Sequence, residues 1–318
     1  MKKVLCIGEL LIDFICTDIG VSLSSGDNFL KKAGGAPANV TSAISRLGGK
    51  ASFGGSVGQD PFGDFLENSL VKEGVDTTFL KREGKPTTMS FVSVQEDGER
   101  DFVFARGADE IYEPDEKEAK EMESFDIFHF GSATALLGGS LRDTYDKFFA
   151  YAEKNVKNLI CFDPNYRDNL WAGRDQEFIE LSKKYIAKSD IVKVSDAEAC
   201  LITGISDVKD AALALSKLGE TVLLVTLGKE GTLIIAGDHV ETVGSVKIKS
   251  VDSTGAGDAF VGALLYKMAY SDSKDILKDN NAFSNIVKFA NAVGALTCTE
   301  MGATEALPTL DKVNKFLQ

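Results

Sequence analysis

The stretch that most constrains the fold reads Asp252-Ser253-Thr254-Gly255-Ala256-Gly257-Asp258 and continues into the apolar run 259–265. This pattern predicts a glycine-rich turn that enters a buried helix. Such a turn leaves backbone N–H groups free at the helix N-terminus, where the helix dipole also favours negative charge. Gly255 and Gly257 would let the backbone approach an anion closely. We therefore predict a phosphate-binding turn.

Asp258 is an unexpected residue at the mouth of such a turn. Its carboxylate would repel the phosphate that the turn attracts. An acid is useful in this place if it takes up a proton during phosphoryl transfer. The turn therefore indicates a kinase.

Elsewhere along the chain, short apolar runs alternate with longer helix-like segments. Continuous apolar runs bounded by turn residues are typical of strands buried on both faces, and their alternation with helices predicts a largely parallel sheet. The clearest runs are 4–7, 127–130, 159–162, 191–194 and 222–226. Each run ends in small or polar residues. Because ligands of open α/β sheets bind at the carboxyl ends of the strands, we expect these residues to line one crevice.

Two pairs of strand-like segments do not fit this alternation. They are 14–17 with 29–32, and 88–94 with 100–106. The second pair flanks residues 95–99, which contain the Asp97-Gly98 signal of a tight hairpin. We interpret the segments as a small antiparallel sheet that covers the crevice as a lid and excludes water from the reacting phosphate. An ordinary edge hairpin is the alternative, and an apolar lid face would serve dimerisation instead or as well.

A second glycine-rich motif lies near the N-terminus and reads Ala33-Gly34-Gly35-Ala36-Pro37-Ala38-Asn39. It precedes a helix pattern with Val40, Ile44 and Leu47 on one face, which Gly48 and Gly49 end. The glycine pair permits close approach of the backbone to a polyhydroxyl ligand, and an asparagine amide can donate and accept hydrogen bonds at once. A tight strand-to-helix turn would also explain the glycines, but it explains Asn39 less readily.

Together, the motifs at 33–39 and 252–258 resemble the paired signatures of the PfkB, or ribokinase-like, family of carbohydrate kinases. The resemblance covers essentially the whole chain. It implies a single domain over residues 1–318, with a three-layer α/β/α core, a mostly parallel sheet, and a small antiparallel lid contributed by about 14–32 and 88–106. It also implies ATP-dependent phosphorylation of a sugar or nucleoside hydroxyl.

The resemblance assigns roles to the turn. Asp258 would be the general base that takes the proton of the acceptor hydroxyl. The backbone amides of Gly255, Ala256 and Gly257 would stabilise charge on the γ-phosphoryl oxygens.

A sugar pocket follows from the same resemblance. Asp13 matches the family aspartate that accepts hydrogen bonds from two sugar hydroxyls, which favours a polyol as ligand. The residues implied at this pocket are Asp13, Gly34, Gly35, Asn39, Arg106, Arg167 and Asp258. Each arginine has the alternative of being a surface or salt-bridged residue.

The resemblance also implies a nucleotide and metal site. The residues implied for ATP are Lys193, Thr226, Gly228, Gly231, Gly255, Gly257 and Asn291. Ser195 stands where many relatives have the asparagine of an Asn-x-x-Glu motif, but Glu198 remains and would organise Mg²⁺ through water. The alternative for Glu198 is a carboxylate that stabilises the first helical turn. Asp252 and Thr254 match the place where relatives bind a monovalent cation, which would add K⁺.

Within the family, the branch that phosphorylates fructose fits best. The stretches that favour it are 53–55, 60–63, 98–102, 128–132 and 193–196. We therefore expect transfer of the γ-phosphoryl group of ATP to the 6-hydroxyl of D-fructose.

Three other functions are alternatives to phosphorylation of fructose. A kinase of 2-keto-3-deoxygluconate stays open, because Arg106 and Arg167 would suit the carboxylate of a keto acid. A catalytically silent sugar or nucleotide sensor needs no base, so Asp258 argues against it. A dinucleotide-dependent dehydrogenase would need Gly-x-Gly-x-x-Gly after the first strand, where residues 8–11 contain one glycine.

The composition of the chain also argues against certain classes of binding partner. The formal net charge is −13, which argues against nucleic acid or an anionic membrane surface as a partner. The five cysteines are scattered without Cys-x-x-Cys spacing, as expected for core residues in a reducing compartment. The sequence contains no signal-peptide pattern and no apolar run of membrane-spanning length. We therefore expect a cytoplasmic protein.

Overall fold

The computed structural model of this chain describes residues 1–96, 100–271 and 274–318. Within these residues the chain forms thirteen β-strands. In chain order they are β1 (Val4–Ile7), β2 (Leu11–Cys16), β3 (Phe29–Gly34), β4 (Ala51–Gly58), β5 (Leu80–Glu83), β6 (Met89–Val94), β7 (Arg100–Ala105), β8 (Ile127–Phe130), β9 (Leu159–Phe162), β10 (Ile191–Ser195), β11 (Val222–Thr226), β12 (Thr232–Ala236) and β13 (His239–Val243).

Eleven α-helices occur in the same described residues. They are α1 (Ala36–Arg46), α2 (Pro61–Lys72), α3 (Glu116–Glu121), α4 (Ser140–Lys154), α5 (Asp168–Trp171), α6 (Asp175–Ile186), α7 (Asp196–Thr203), α8 (Val208–Leu215), α9 (Ala256–Tyr270), α10 (Asn280–Thr297) and α11 (Leu310–Leu317). Most of them connect successive strands of the larger of two sheets, as an α/β architecture requires.

The larger sheet contains nine strands in the order β13-β12-β11-β10-β9-β8-β1-β4-β5. The pairs from β11 to β5 are parallel, and β12 and β13 extend the edge in antiparallel fashion. The five strands predicted from apolar runs form the contiguous centre, β11 to β1, and their side chains are almost entirely buried. The predicted mostly parallel sheet is therefore confirmed.

Helices cover both faces of this sheet. Along β1, Val4 and Cys6 belong to the core that includes residues of α1, α9 and α10, whereas Leu5 and Ile7 belong to the core that includes residues of α4, α6, α7 and α8. Successive side chains of a strand point to opposite faces, so one apolar run supplies both cores. The predicted three-layer α/β/α arrangement is thereby confirmed.

Strand β4 was not predicted, because its sequence Ala-Ser-Phe-Gly-Gly-Ser-Val-Gly is rich in glycine, a residue depleted in strands. The structure shows why glycine is needed there. A Cβ at Gly55 would lie 2.3 Å from the Gly8 carbonyl oxygen, and one at Gly54 would lie 3.0 Å from the Tyr112 hydroxyl. Close packing against neighbouring strands and side chains therefore selects glycine in a buried strand.

The smaller sheet has the order β3-β2-β6-β7 and corresponds to the predicted lid. Strand β2 pairs antiparallel with β3, and β6 pairs antiparallel with β7, but β2 and β6 are parallel. The prediction of an antiparallel sheet was therefore wrong at this pair, and the sheet is mixed. The long connection through α1, β4, α2 and β5 returns the chain in the same direction, which no short hairpin allows. The predicted Asp97-Gly98 turn lies outside the described residues.

All five cysteines are free, and Cys6 and Cys161 are buried in the core. Across the described ranges, none of the helices combines the length and apolar character that a bilayer crossing requires. Cytoplasmic location stays a prediction from the sequence.

Candidate active site

A cleft of about 700 Å³ lies at the carboxyl ends of the central strands. Three segments line it: residues 165–167 after β9, the end of β10 with the start of α7, and the turn 252–258 that enters α9. Sequence candidates from all three segments meet here, namely Arg167, Lys193, Glu198, Asp252, Thr254, Gly255, Gly257 and Asp258. A larger cavity of about 1190 Å³ lies near the amino ends of the strands, beside Lys2, Asp126 and Asp190, where neither glycine motif reaches.

The turn at 252–258 has the predicted form. Gly255 is the N-cap of α9 with φ at 73°, in the left-handed region, and no side chain caps this helix end. The Ala256 N–H bonds the Ser253 carbonyl, while the N–H groups of Gly257 and Asp258 belong to a first helical turn that leaves them without intrahelical acceptors. A Cβ at Gly257 would lie 3.3 Å from Lys193 Nζ. A buried ammonium group therefore lies directly against the turn.

Asp258 is the third residue of α9 and is half-buried. The Asn39 side-chain amide donates to its Oδ2 over 2.9 Å. Burial raises the pKa of Asp258 above its ordinary value, while the Asn39 bond and the charges of Arg167 and Lys193 oppose that rise. A carboxylate that is partly withdrawn from water and held by one amide is suited to accept a proton from a nearby hydroxyl.

Asp13 lies on β2, on the lid side of the cleft. The Ser90 hydroxyl donates to its Oδ1, and a Cβ at Gly34 would lie 2.0 Å from its Oδ2. Burial raises the pKa of Asp13, the Ser90 bond lowers it, and the Arg167 charge also lowers it. The charge of Arg167 thus acts on the carboxyls of both Asp13 and Asp258, although only Arg167 and Asp258 line the cleft.

Glu9 was not predicted as a site residue, although it follows β1 directly. It is almost fully buried and accepts hydrogen bonds from the backbone of Ala36 over 3.0 Å, from the backbone of Ala133 over 3.3 Å, and from the Ser132 hydroxyl. Burial raises its pKa. Helix α1 has glycine as N-cap, so no local side chain caps it. The sequence did contain a signal for this role of Glu9. It is a glutamate that follows an apolar strand, and the start of α1, which it faces, has no side chain of its own as a cap.

Gly35 is required for a different reason from Gly34. Its φ of 113° is disfavoured for residues with a side chain, and a Cβ there would lie 2.4 Å from the Glu9 carbonyl oxygen. The strand-to-helix turn explains the glycine pair, whereas Asn39 projects to Asp258.

Arg106 lies at the end of the lid and makes three contacts that the sequence did not reveal. Its Nε lies 3.3 Å from Asp109 Oδ2, and its Nη2 donates to the carbonyls of Thr134 over 2.9 Å and Gly138 over 3.0 Å. It does not line the cleft described above. These bonds join the lid to the loop after β8, and a direct sugar contact by Arg106 stays a prediction.

Lys193 and Asp163 form a buried ion pair, with Nζ 3.0 Å from Oδ2. Burial by itself would lower the pKa of Lys193, but the carboxylates of Asp163, Glu198 and Asp258 raise it. Burial raises the pKa of Asp163, and the lysine charge opposes that rise. The ammonium group therefore stays charged beneath the turn.

Glu198 forms a capping box with Ser195 at the start of α7. The Ser195 hydroxyl accepts from the Glu198 backbone over 3.1 Å, and Glu198 Oε2 accepts from the Ser195 backbone over 2.7 Å. Its Oε1 accepts from the Tyr166 backbone over 2.8 Å. The serine that departs from the family motif thus caps a helix. The Ser-x-x-Glu pattern was visible in the sequence as a capping signal.

The donor set of the cleft fits a magnesium ion that ATP carries in. The carboxylate of Glu198 lines it, and carboxylate oxygen is the ligand type that Mg²⁺ prefers. In the part of the chain that the structure describes, no group of three or more His, Cys, Asp or Glu side chains is placed to hold a metal. Such a site would leave most of the coordination to phosphate and water.

The remaining nucleotide candidates lie around the end of β11. Thr226 faces Ser195 across the β10–β11 pair, and its hydroxyl donates to the Val194 carbonyl over 3.3 Å. Gly228 and Gly231 follow with φ values of 56° and 104°. Asn291 lies deeper: its Oδ1 accepts from the Thr232 hydroxyl over 2.7 Å, and its Nδ2 donates to the Val243 carbonyl over 2.9 Å. These bonds tie α10 to the β12–β13 hairpin.

The residues suggested for a monovalent cation do come together. Asp252 Oδ1 accepts from the backbone and the hydroxyl of Thr254, over 3.0 and 2.7 Å. Asp252 Oδ2 accepts from the Gly302 backbone over 2.9 Å. The structure thus joins the turn to the loop after α10.

Comparison with known proteins adds to this geometry. A model described as pfkB family carbohydrate kinase matches residues 1–310. The chain is 40% identical over 319 residues to probable fructokinase-2 of Arabidopsis thaliana, covering 99% of this chain and 95% of that protein. It is 40% identical over 321 residues to fructokinase-1 of Zea mays, covering 100% of this chain and 98% of that protein.

Two solved structures are similar over nearly their full length. Fructokinase from Xylella fastidiosa with bound ATP has a TM-score of 0.86 at 30% identity, with 99% of this chain and 98% of that chain covered. Fructokinase from Vibrio cholerae O395, bound to fructose, ADP and calcium ion, has a TM-score of 0.86 at 31% identity, with 100% and 99% covered.

Proposed function

The chain belongs to the pfkB family of carbohydrate kinases, and on that premise we propose that it is a fructokinase. It transfers the γ-phosphoryl group of ATP to the 6-hydroxyl of D-fructose and forms fructose 6-phosphate and ADP. The observation that carries this proposal is that Arg167 and Asp258 line one cleft together with the glycine turn, while the charge of Arg167 also lowers the pKa of Asp13 on the lid strand β2. The sugar is assigned from the fructokinases of plants and bacteria that the chain resembles over its length.

Asp258 takes the proton of the sugar hydroxyl. As the acceptor oxygen of the sugar bonds to the γ-phosphorus, its proton passes to the Asp258 carboxylate, and the bond between the γ-phosphorus and the bridging oxygen breaks to release ADP. The N–H groups of Gly255 and Gly257 stabilise charge on the γ-phosphoryl oxygens, whereas the Ala256 N–H, which the sequence also suggested for this role, donates to the Ser253 carbonyl. Asn39 supports the ionised form of Asp258 because it donates to Oδ2.

The sugar is held on the lid side. Asp13 accepts hydrogen bonds from two hydroxyls, and Gly34 leaves room for its carboxylate. Gly35 and Asn39 border the same pocket, while Arg106 keeps the lid end in register with the loop after β8. Closure of the lid excludes water, which would otherwise compete with the sugar for the phosphoryl group.

The nucleotide occupies the side of β10 and β11. Thr226, Gly228, Gly231 and Asn291 shape the region around the base, and Lys193 supplies positive charge beneath the turn. Glu198 would hold, through water, a Mg²⁺ ion, which would neutralise part of the charge of the ATP phosphates. Asp252 and Thr254 are the residues for a monovalent cation, which we take to be K⁺.

The 318 residues form one kinase domain, with the lid as an excursion from it. The family model spans nearly the whole chain, and the lid strands alternate in sequence with strands of the large sheet. The lid also supports a homodimer. One cross-strand row of side chains, Leu30, Ile15, Val92 and Phe102, is apolar throughout, and Leu30 and Ile15 are 46% and 40% exposed.

An ADP-release assay with Mg·ATP tests the proposal. Fructose, 2-keto-3-deoxygluconate, ribose and adenosine are compared as acceptors, and we expect the highest kcat/KM with fructose. A higher kcat/KM with another acceptor would overturn the assignment of the sugar. Absence of turnover with all four would overturn the kinase proposal and favour a sensor.

A further inference from the structure

Thr304 makes a contact that the mechanism above does not use. It lies in the loop between α10 and α11, and its hydroxyl donates to Asn39 Oδ1 over 3.0 Å. On the other side of the same amide, Asn39 Nδ2 donates to Asp258 Oδ2 over 2.9 Å. The three side chains therefore form a line of hydrogen bonds that ends on the predicted general base.

The Thr304 hydroxyl supports one direction of this line, the one that the acceptor-only carboxylate of Asp258 also requires. An asparagine amide can rotate so that either its oxygen or its nitrogen faces a neighbour. With the oxygen towards Asp258, the carboxylate would face another acceptor and lose its donor. A hydroxyl that donates to Oδ1 favours the orientation in which Nδ2 faces the carboxylate. Asn39 is only 6% exposed, so water offers little substitute for either bond.

We propose that Thr304 is a positioning residue for phosphoryl transfer, which fixes the Asn39 amide so that its nitrogen donates to Asp258. This inference rests on the proposed function in one respect, because it takes Asp258 as the base. Thr304 itself touches no reacting atom in this scheme.

The loop around Thr304 is held on both sides, so the hydroxyl has a defined place. The Gly302 backbone donates to Asp252 Oδ2 over 2.9 Å. Ala303 packs against the turn, where a Cβ at Gly255 would lie 2.7 Å from the Ala303 Cβ. Glu305 forms an ion pair with Lys32 of β3 over 3.0 Å. The loop is thus anchored to Asp252 through residue 302, to the turn through residue 303, and to the lid through residue 305.

Charged groups other than Asn39 and Thr304 also affect the pKa of Asp258. Their contributions have to be separated from that of Thr304. Arg167 after β9 and Lys193 on β10 lower its pKa, while Glu198 on α7 raises it. Asp163 is close enough to Asp258 for the two carboxyls to interact. All four groups stay in place when the Thr304 hydroxyl is removed. A change in the pKa of Asp258 after this removal would therefore show that the Asn39 amide has lost its orientation.

The main test compares Thr304→Val, which is similar in shape but has no hydroxyl, with Thr304→Ser, which keeps it. In Thr304→Val the acid limb of the kcat profile for fructose should move up by roughly 0.5–1 pH unit, because the base loses a hydrogen-bond donor. At a pH below that limb, kcat should fall roughly 3- to 10-fold with little change in KM. Thr304→Ser should match the wild type.

Two controls separate this role from a general effect on the loop. Thr299→Val removes a hydroxyl from the same loop whose bond goes to the Leu296 carbonyl, and it should leave the acid limb unchanged. In an Asn39→Ala background, Thr304→Val should cause no further shift, because no amide remains to be oriented. An equal shift in both backgrounds would overturn the proposal.

A readout without turnover separates this inference from the proposed function. The ¹³C carboxyl resonance of Asp258, assigned by its absence in Asp258→Asn, is titrated in protein without ligands. A higher midpoint in Thr304→Val than in wild type and Thr304→Ser supports the inference even if no sugar is phosphorylated. Equal midpoints in all three proteins overturn it even if fructose is a good substrate.

Discussion

At the level of single residues, the site contains ionisable groups that are buried, although burial disfavours their charged forms. Asp258 is held in a place where burial disfavours its charge, and one amide and two cations keep the ionised form accessible. Lys193 is a buried cation kept charged by carboxylates. Such arrangements reduce stability in return for reactivity, and they are common where protons move.

Replacing Asp258 tests both sides of this balance. In Asp258→Asn we expect kcat to fall at least ~10²-fold, because no group remains to take the proton. The free energy of unfolding at pH 7 should not fall, because the raised pKa of Asp258 shows that burial disfavours its charged form. ADP release and urea unfolding measure the two effects.

The matched control is Asp210→Asn, since Asp210 is also the third residue of a helix, α8, but is exposed. It should keep normal turnover. Near-normal turnover of a folded Asp258→Asn protein would contradict the assignment of the base.

His129 is a second residue with a displaced pKa, and it predicts a pH dependence of stability. Burial in β8 lowers its pKa from 6.5 to about 3. As the pH falls below 6.5, the unfolded chain binds a proton that the folded protein does not bind, so the free energy of unfolding falls. Between pH 7 and pH 5 this residue alone should account for about 2 kcal/mol of the loss.

His129→Leu should remove that part of the pH dependence, as measured by urea unfolding at the two pH values. Asp163 contributes with the opposite sign between about pH 4 and 6, because its pKa is raised to about 6. That contribution is present in both proteins and cancels in the comparison. An equal loss of stability on acidification in both proteins would contradict the prediction.

Among the helices and strands, the start of α9 is the element on which the proposed chemistry depends most. Its first turn has no side-chain cap, so the N–H groups of Gly257 and Asp258 stay available, and its N-cap glycine has a φ that residues with a side chain rarely adopt. The helix behind it is buried over most of its length, which fixes the turn against the core. Helix α7 contrasts with it, because Ser195 and Glu198 satisfy its first N–H groups.

A pair of glycine substitutions tests whether the close contact at this turn matters beyond its backbone angle. Gly255 and Gly204 both have φ at 73°, but a Cβ at Gly255 would lie 2.7 Å from the Ala303 Cβ, whereas a Cβ at Gly204 meets nothing within 4 Å. Gly204→Ala should cost about 1–2 kcal/mol of stability from the backbone angle alone and keep kcat.

Gly255→Ala should cost more stability and should lower kcat by roughly 10²-fold, because the turn must shift to relieve the contact with Ala303. Thermal unfolding and ADP release under saturating fructose measure both. Similar kcat values for the two variants would show that the contact does not position the turn.

At the scale of the whole molecule, the lid carries two kinds of surface on one face. The row formed by Lys32, Asp13 and Ser90 is polar and lies towards the cleft, and the neighbouring row of Leu30, Ile15, Val92 and Phe102 is apolar. In the proposed function, the polar row binds the sugar. The exposed part of the apolar row is what a second lid would cover.

Leu30→Asp tests this arrangement. We expect the wild type to sediment as a dimer and Leu30→Asp as a monomer, because a charge would be buried between two lids. Val103→Asp is the control, since Val103 is 53% exposed but points to the opposite face of the same sheet. A monomeric wild type, or a dimer in all three proteins, would contradict the role of the apolar row.

The features that depend on local pattern could be predicted from the amino-acid sequence alone. Apolar runs marked the five central strands, because a strand buried on both faces needs apolar side chains at every position. The turns at 33–39 and 252–258 were visible because tight backbone geometry restricts the residue type to glycine. The lid strands were also found, since they interrupt the alternation of strands and helices.

Which distant groups meet, by contrast, became known from the folded structure. No local pattern shows that β2 and β6 run parallel, that Arg106 bonds the carbonyls of Thr134 and Gly138, or that Thr304 reaches Asn39. These contacts join segments far apart in the chain, and each depends on how all the intervening elements pack. The acid of the opening turn was evident in the sequence, whereas the amide and the hydroxyl that orient its surroundings became visible only in the fold.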